Sequence, residues 1–207
     1  INMIAADIRM RDPESPHVEQ LRQIETAVGS AAQLTAALLA FGRAGAGRVT
    51  RFDFASTVRS VLDLTRRTFN RSIDVAVDMS GSGILRGDPT QIEQLTLNLL
   101  INARDAMPSG GRLSVRVEVA DLEAPPIPLA PGKHVVLTVS DTGPGIPRDI
   151  RQRVFEPYFT TKQDLERPGT GLGLATVYGV TQAYGGHVEI DDAEPQGAVL
   201  RVTLPVW

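Results

Sequence analysis

Cysteine is absent from this 207-residue chain. That excludes a disulfide framework and a thiolate metal site, and it fits a cytosolic protein. Neither sign of charge dominates: the net charge is −3, which argues against a nucleic-acid-binding module, since these carry a basic face. A small basic cluster at Arg66, Arg67 and Arg71 reads as the solvated face of a helix. No apolar run approaches the roughly 18–20 residues that a membrane span needs, and no signal peptide is visible. Membrane contact and nucleic-acid binding are therefore not expected of this stretch. The chain opens on Ile1 rather than methionine, so a piece of something longer is the expectation. What the chain does have is a 42% apolar composition, enough to bury a core, and nineteen glycines.

Residues 1–46 read as a helical hairpin. Asp12-Pro-Glu-Ser-Pro16 breaks a first helix, because proline disfavours helical geometry in the residue before it. Ser15 and Pro16 suit the cap and first position of a second helix. Val18, Leu21, Ile24, Val28, Ala31, Leu34, Leu38 and Phe41 then recur at helical spacing. A lone hairpin can hardly bury such a stripe, which favours a homodimer through a four-helix bundle. From residue 47 to 207 the pattern becomes α/β. Strands are expected at Val49–Phe52, Ile73–Met79, Leu113–Val119, His134–Ser140, His187–Asp191 and Ala198–Leu204, from apolar alternation and turn signals. Helices are expected at Phe54–Phe69 after the cap Asp53, from Asp88-Pro89 to about Met107, and at Gly171–Tyr184.

Two glycine clusters, Asp141-Thr-Gly-Pro-Gly145 and Gly169-Thr-Gly-Leu-Gly173, bracket Val154-Phe-Glu-Pro-Tyr-Phe-Thr-Thr-Lys162. Glycine lets backbone N–H groups approach a phosphate. Gly169, Gly171 and Gly173, with Thr170 and Leu172 between them, lead into a helix N-terminus, which suits an anion. Asn98 and Asn102 stand four apart on one helix face. A hydrated Mg²⁺ would partner such amides well; the residues alone also allow both to cap neighbouring loops.

Asn98-Leu-Leu-Ile-Asn-Ala-Arg-Asp-Ala-Met-Pro-Ser-Gly-Gly111 resembles the N box of sensor histidine kinases. Asp141–Gly145 resembles their G1 box, Val154–Lys162 their F box, and Gly169–Gly173 their G2 box, all in the family's order. The resemblance covers about residues 49–204. It implies the two-layer α/β sandwich of the Bergerat ATP-binding fold, a mixed sheet with helices on one face, and ATP with Mg²⁺ as ligands. Asp141 would accept the adenine amino proton, with Gly143, Gly145 and Ile146 beside the base. Asn102 would ligate Mg²⁺, with Asn98 near the phosphates. Asp105, on the same helix, is a further candidate contact. Thr160, Thr161 and Lys162 would belong to a lid over ATP, where Lys162 either reaches a phosphate or stays an exposed lysine.

The resemblance also implies a reaction. ATPases of this superfamily carry a glutamate one turn before the magnesium asparagine to activate water; here the position is Asn98, and an amide is a poor general base. Phosphoryl transfer to a histidine, then to the aspartate of a response-regulator receiver domain, is the expected activity, in a cytoplasmic setting. None of His17, His134 and His187 has the context of a phosphoacceptor, and Ile1-Asn-Met-Ile4 is similar to residues just after one, so the acceptor is expected upstream. The alternatives are an anti-sigma-type serine kinase and a catalytically degenerate ATP-binding scaffold. One departure stands out: the family's Gly-x-Gly-Thr before the last strand is here Pro195-Gln-Gly-Ala198.

Overall fold

The computed structural model describes residues 49–66, 69, 72–126, 129–161 and 169–206, with positions 8, 12, 15–18, 20 and 21 before them. The expected hairpin over 1–46 thus lies outside the described residues apart from those positions. Of these, Ile8, Val18, Gln20 and Leu21 are helical, and Asp12 and Ser15–His17 between them are not. The Ser15 hydroxyl accepts a long hydrogen bond of 3.4 Å from the His17 N–H.

The α/β part starts with β1 (Thr50–Asp53) and α1 (Phe54–Arg66), followed by β2 (Ile73–Met79), β3 (Ile84–Gly87) and α2 (Pro89–Ala106). Then come β4 (Gly111–Leu122), β5 (Gly132–Asp141), α3 (Gly173–Ala183), β6 (His187–Asp192) and β7 (Ala198–Pro205). Helices α1 and α2 start where their sequence signals it. Asp53 accepts the Ser56 N–H at 2.6 Å, and Asp88 accepts the Thr90 N–H at 3.0 Å with Pro89 at the first position. These side-chain oxygens satisfy N–H groups that the helix itself leaves orphaned.

A five-stranded sheet runs in the order β2-β4-β5-β7-β6, with β2 parallel to β4 and every other pair antiparallel. Alternation decides its two faces. On β4, Leu113, Val115 and Val117 are fully buried, while Arg112 before them and Arg116 among them point outward to Asp74 and Asp78 of β2 at 3.4 and 3.2 Å. Those exposed pairs add little stability. The inward face, with Leu137, Val139, Leu200 and Val202, packs in one cluster with Phe54 and Val58 of α1, Ile92, Leu95, Leu99 and Leu100 of α2, and Val177 and Val180 of α3. Helix α2 lies between the other two helices. Truncating a fully buried leucine such as Leu99 would cost about 2–5 kcal/mol.

Three features depart from expectation. Strand β3 was not anticipated; its four residues carry too short a pattern to show a period, and it pairs antiparallel with β1 as a separate two-stranded sheet. Helix α3 begins at Gly173, two residues late, because Gly171 holds a φ of +66° that no right-handed helix accepts. Phe69, expected to end α1, lies beyond the helix, its N–H bonded to the Arg66 carbonyl at 3.4 Å.

Candidate functional site

Strand β5 ends at Asp141, and its neighbours make this end a crowded corner. Asp141 is 4% exposed. Its Oδ1 accepts the Gly143 N–H at 2.8 Å. Burial pushes the carboxyl above its ordinary value, while the backbone N–H groups of Gly143 and Ala198 pull the other way. A buried carboxylate on which two amides converge can still accept a proton from a ligand amine, because each oxygen has more than one lone pair.

The loop after Asp141 is seated on the end of α2. A Cβ on Gly143 would lie 2.8 Å from the Ala106 carbonyl oxygen and 2.9 Å from Asp141 Oδ1, so no side chain fits there. Thr142 fastens the same junction: its Oγ1 accepts the Arg112 N–H at 2.9 Å, and its own N–H donates to the Arg112 carbonyl at 3.2 Å. Ile146 packs against the core from the loop's far end.

The second wall is α2 itself. Asn98 and Asn102 are both half-buried and, among the described residues, neither amide has a hydrogen-bond partner. Asn102 sits against the start of α3: a Cβ built on Gly173 would be 3.4 Å from its Nδ2 and 3.5 Å from its Oδ1. The first turn of α3 has no side-chain cap, so its N–H groups stay available to an anion. Asp105 follows one turn after Asn102 and is engaged by Arg104, which donates from Nε and Nη2 to its Oδ1 at 2.9 and 2.7 Å.

The approach to α3 holds a feature that sequence reasoning missed. Tyr158 has a φ of +68°, rare for a residue with a side chain, and its N–H donates to the Gly171 carbonyl at 2.9 Å. A Cβ on Gly171 would overlap the Tyr158 backbone. The segments before and after the stretch 162–168 are thereby joined through their backbones. Gly169, Thr170 and Leu172 are partly exposed beside this junction, as is Thr160, whereas Thr161 is exposed. Lys162 lies outside the described residues. Phe155 packs on Tyr178 of α3 at 5.6 Å between ring centroids, and Arg153 covers the Phe159 ring at 4.6 Å, so these aromatics hold the segment to the domain.

A further missed residue is Gly197, in the turn that departs from the family pattern. Its φ is +128°, and a Cβ there would overlap the Asp141 carbonyl oxygen. The signal was present in the sequence as the last glycine before β7, but nothing local said what it touches. The last turns of α2 thus meet both glycine clusters, Gly143 (bonded to Asp141) at Ala106 and Gly173 at Asn102, with Asn98 on the adjoining turn. Among the described residues, no group of three or more His, Asp or Glu residues could hold a metal ion.

The arrangement matches known proteins. Residues 87–207 fit the family model described as histidine kinase-, DNA gyrase B- and HSP90-like ATPase. The sensor kinase CckA of Brucella abortus is 34% identical over 99% of this chain and 22% of its own length. The histidine-protein kinase/phosphatase MprB of Mycolicibacterium smegmatis is 34% identical over 91% of this chain and 36% of its own. The chain therefore spans only about a fifth to a third of these relatives. Among solved structures, a mycobacterial sensor histidine kinase MprB superposes with a TM-score of 0.64 at 31% identity, covering 77% of this chain and 98% of that one.

Proposed function

The chain belongs to the histidine kinase-, DNA gyrase B- and HSP90-like ATPase family, as a catalytic ATP-binding domain of the sensor histidine kinase type, and on that premise we propose how its site works. ATP lies across the corner between β5, α2 and the start of α3. Asp141 accepts the adenine amino proton, and Gly143, Gly145 and Ile146 flank the base. Gly169–Gly173 and the uncapped N-terminus of α3 receive the phosphates. Asn102 holds Mg²⁺, with Asn98 beside it and Asp105 one turn further along the same helix. The fit rests on the amides themselves: half-buried and without hydrogen-bond partners among the described residues, they have oxygen atoms to offer a hard cation that keeps several of its waters. Bound Mg²⁺ would supply neutralisation of the phosphate charge.

Within that site the protein's own groups act by position and charge. The adenine is fixed at one end, so the γ-phosphoryl group projects from the α3 end, past Thr160 and Thr161. No carboxylate stands in Asn98's place to activate water, so transfer to a protein side chain is favoured over hydrolysis. The acceptor is a histidine on a helical hairpin, preceding this domain in the full protein, where two copies pair through residues 1–46. From there the phosphoryl group passes to an aspartate of a response-regulator receiver domain. ATP and the receiver place the reaction in the cytoplasm. No helix of the described residues is long and apolar enough to cross a membrane.

The observation that carries this reading is that α2 meets Gly173 at Asn102 and, one turn on at Ala106, the Gly143 that is bonded to the buried Asp141. The test supplies a separate hairpin bearing an acceptor histidine, together with γ-labelled ATP and Mg²⁺. Acid-labile label on the hairpin is the expected outcome. Acid-stable label would instead point to a serine kinase, and no transfer despite ATP binding to a catalytically degenerate scaffold.

A further inference from the structure

The loop Asp141–Ile146 rests on the β6–β7 hairpin, and one side chain ties the two together. Gly145 closes on the Gly197 carbonyl oxygen, which a Cβ would approach to 2.8 Å, and Gly197 closes on the Asp141 carbonyl. The hairpin turn is itself fastened by the Ala193 N–H donating to the Gly197 carbonyl at 3.1 Å. At the loop's far end, Arg151 donates from Nε to the Ile146 carbonyl at 3.0 Å and from Nη1 to the Ile190 carbonyl of β6 at 3.3 Å. Its Nη2 pairs with Asp192, the last residue of β6, and Arg148 adds a second contact to the same carboxylate at 3.2 Å.

Arg151 is unlike the other surface arginines. Its side chain is only 18% exposed, against 85% for Arg148, and it reaches three groups from two segments about forty residues apart. The guanidinium is a rigid planar fork that satisfies several acceptors at once, which a lysine cannot reproduce. Asp192 is held below the usual carboxylate range by the Arg148 and Arg151 contacts, so the pair stays ionised at neutral pH. The loop is anchored at its start by the pairing of β5 with β7. At its end, where Ile146 turns toward the core, Arg151 supplies the side-chain bond to its carbonyl.

We infer that Arg151 is a positioning residue for base recognition: by clamping Ile146 to β6 it fixes the Asp141–Ile146 loop, and with it the selectivity for adenine over guanine. This rests on the nucleotide site proposed above. Arg151 touches no part of the ligand in this account; it acts through the Ile146 backbone.

Calorimetry with Mg-ATP and Mg-GTP on the whole chain tests it, using R151L, R151K, D192A and the R151L/D192A pair, with D141N as control. R151L is expected to weaken ATP about tenfold, the scale of one lost charge-assisted hydrogen bond, and to weaken GTP less, so that the ATP:GTP preference shrinks. R151K recovers part of the loss. D192A shifts the preference in the same direction, and the double variant is no worse than R151L, since the two residues act as one unit. Equal weakening of ATP and GTP, or unchanged ATP binding in R151L while D141N loses it, overturns the inference. If R151L does not fold, R151K and D192A decide, and a wild-type ATP:GTP ratio in both overturns it. Wild-type protein that fails to bind ATP, or D141N that binds as tightly as wild type, defeats the underlying site and the inference with it.

Discussion

The two halves of the candidate site are built on opposite plans. On the base side, Asp141, Gly143 and Gly197 are buried and held by the protein's own hydrogen bonds and close backbone contacts. On the side proposed for the phosphates, Asn98 and Asn102 are half-buried amides without hydrogen-bond partners among the described residues, and α3 starts without a side-chain cap. The first half is finished before any ligand arrives; the second leaves hydrogen-bonding capacity open. Disrupting the close backbone contacts of the base side should therefore reach folding as well as binding, while damage to the phosphate side should reach binding alone.

The largest break in that comparison is Gly197→Val. The new side chain must overlap the Asp141 carbonyl while its backbone stays at a φ of +128°. Overpacking and backbone strain together should cost about 3 kcal/mol or more, lowering the unfolding midpoint by roughly 10 °C for a domain of this size. Calorimetric unfolding checks it, and a wild-type midpoint would mean that the turn moves away without cost.

Asn102→Ala probes the other half. Losing a contact to a charged group is worth about 1.5–3 kcal/mol, or about ten- to a hundredfold in affinity. That loss should appear in Mg²⁺-dependent ATP binding, with stability within about 0.5 kcal/mol of wild type because no protein partner of the amide is removed. Parallel titration and thermal unfolding separate the two readouts. A large drop in midpoint would erase the contrast between the halves.

Asp141 joins both behaviours. Burial raises its pKa from the ordinary value of 3.8, so its ionisation is disfavoured in the folded chain. The sign follows by linkage: this group's contribution to stability is full below the unfolded value and is lost as pH rises through the higher folded one. Asp141→Asn should accordingly leave the ligand-free protein at least as stable at neutral pH while weakening ATP about tenfold or more. Wild-type ATP affinity should in turn fall as pH drops through the raised value, since only the ionised carboxylate has both oxygens free to accept. Titration across acidic pH checks this, and a flat profile would remove Asp141 from base recognition.

Much of this was legible in the sequence because it is local. Asp53 and Asp88 announce helix starts through their own side chains, and the apolar alternation of Leu113, Val115 and Val117 marks a half-covered strand. The order of the asparagine pair and the two glycine clusters pointed to the corner where they meet. What stayed hidden depends on contacts distant in the chain. Nothing near Gly197 says that it touches Asp141, and nothing near Arg151 says that its partners sit in β6. The φ of Tyr158 goes with its bond to Gly171, thirteen residues on, not with tyrosine's own preference. Strand β3 exists because β1 offers it an edge.

The smallest expected effect lies in the helical layer, away from both halves. Thr96 of α2 is fully buried, and its hydroxyl has no hydrogen-bond partner among the described residues. Its counterparts do better: Thr65 and Thr181 donate back to the Val61 and Val177 carbonyls at 2.7 Å each. An unpaired buried hydroxyl costs about 1–3 kcal/mol, and valine keeps the shape and the branched rotamer without it. Thr96→Val should therefore stabilise the domain by about 1 kcal/mol, raising its midpoint by roughly 2–4 °C. Thr96 stands two residues before Asn98, about 200° round the helix, so ATP affinity should not change. A lower midpoint would show that the hydroxyl is paired in solution, and a changed affinity would mean that the core behind α2 helps to set the position of its asparagines.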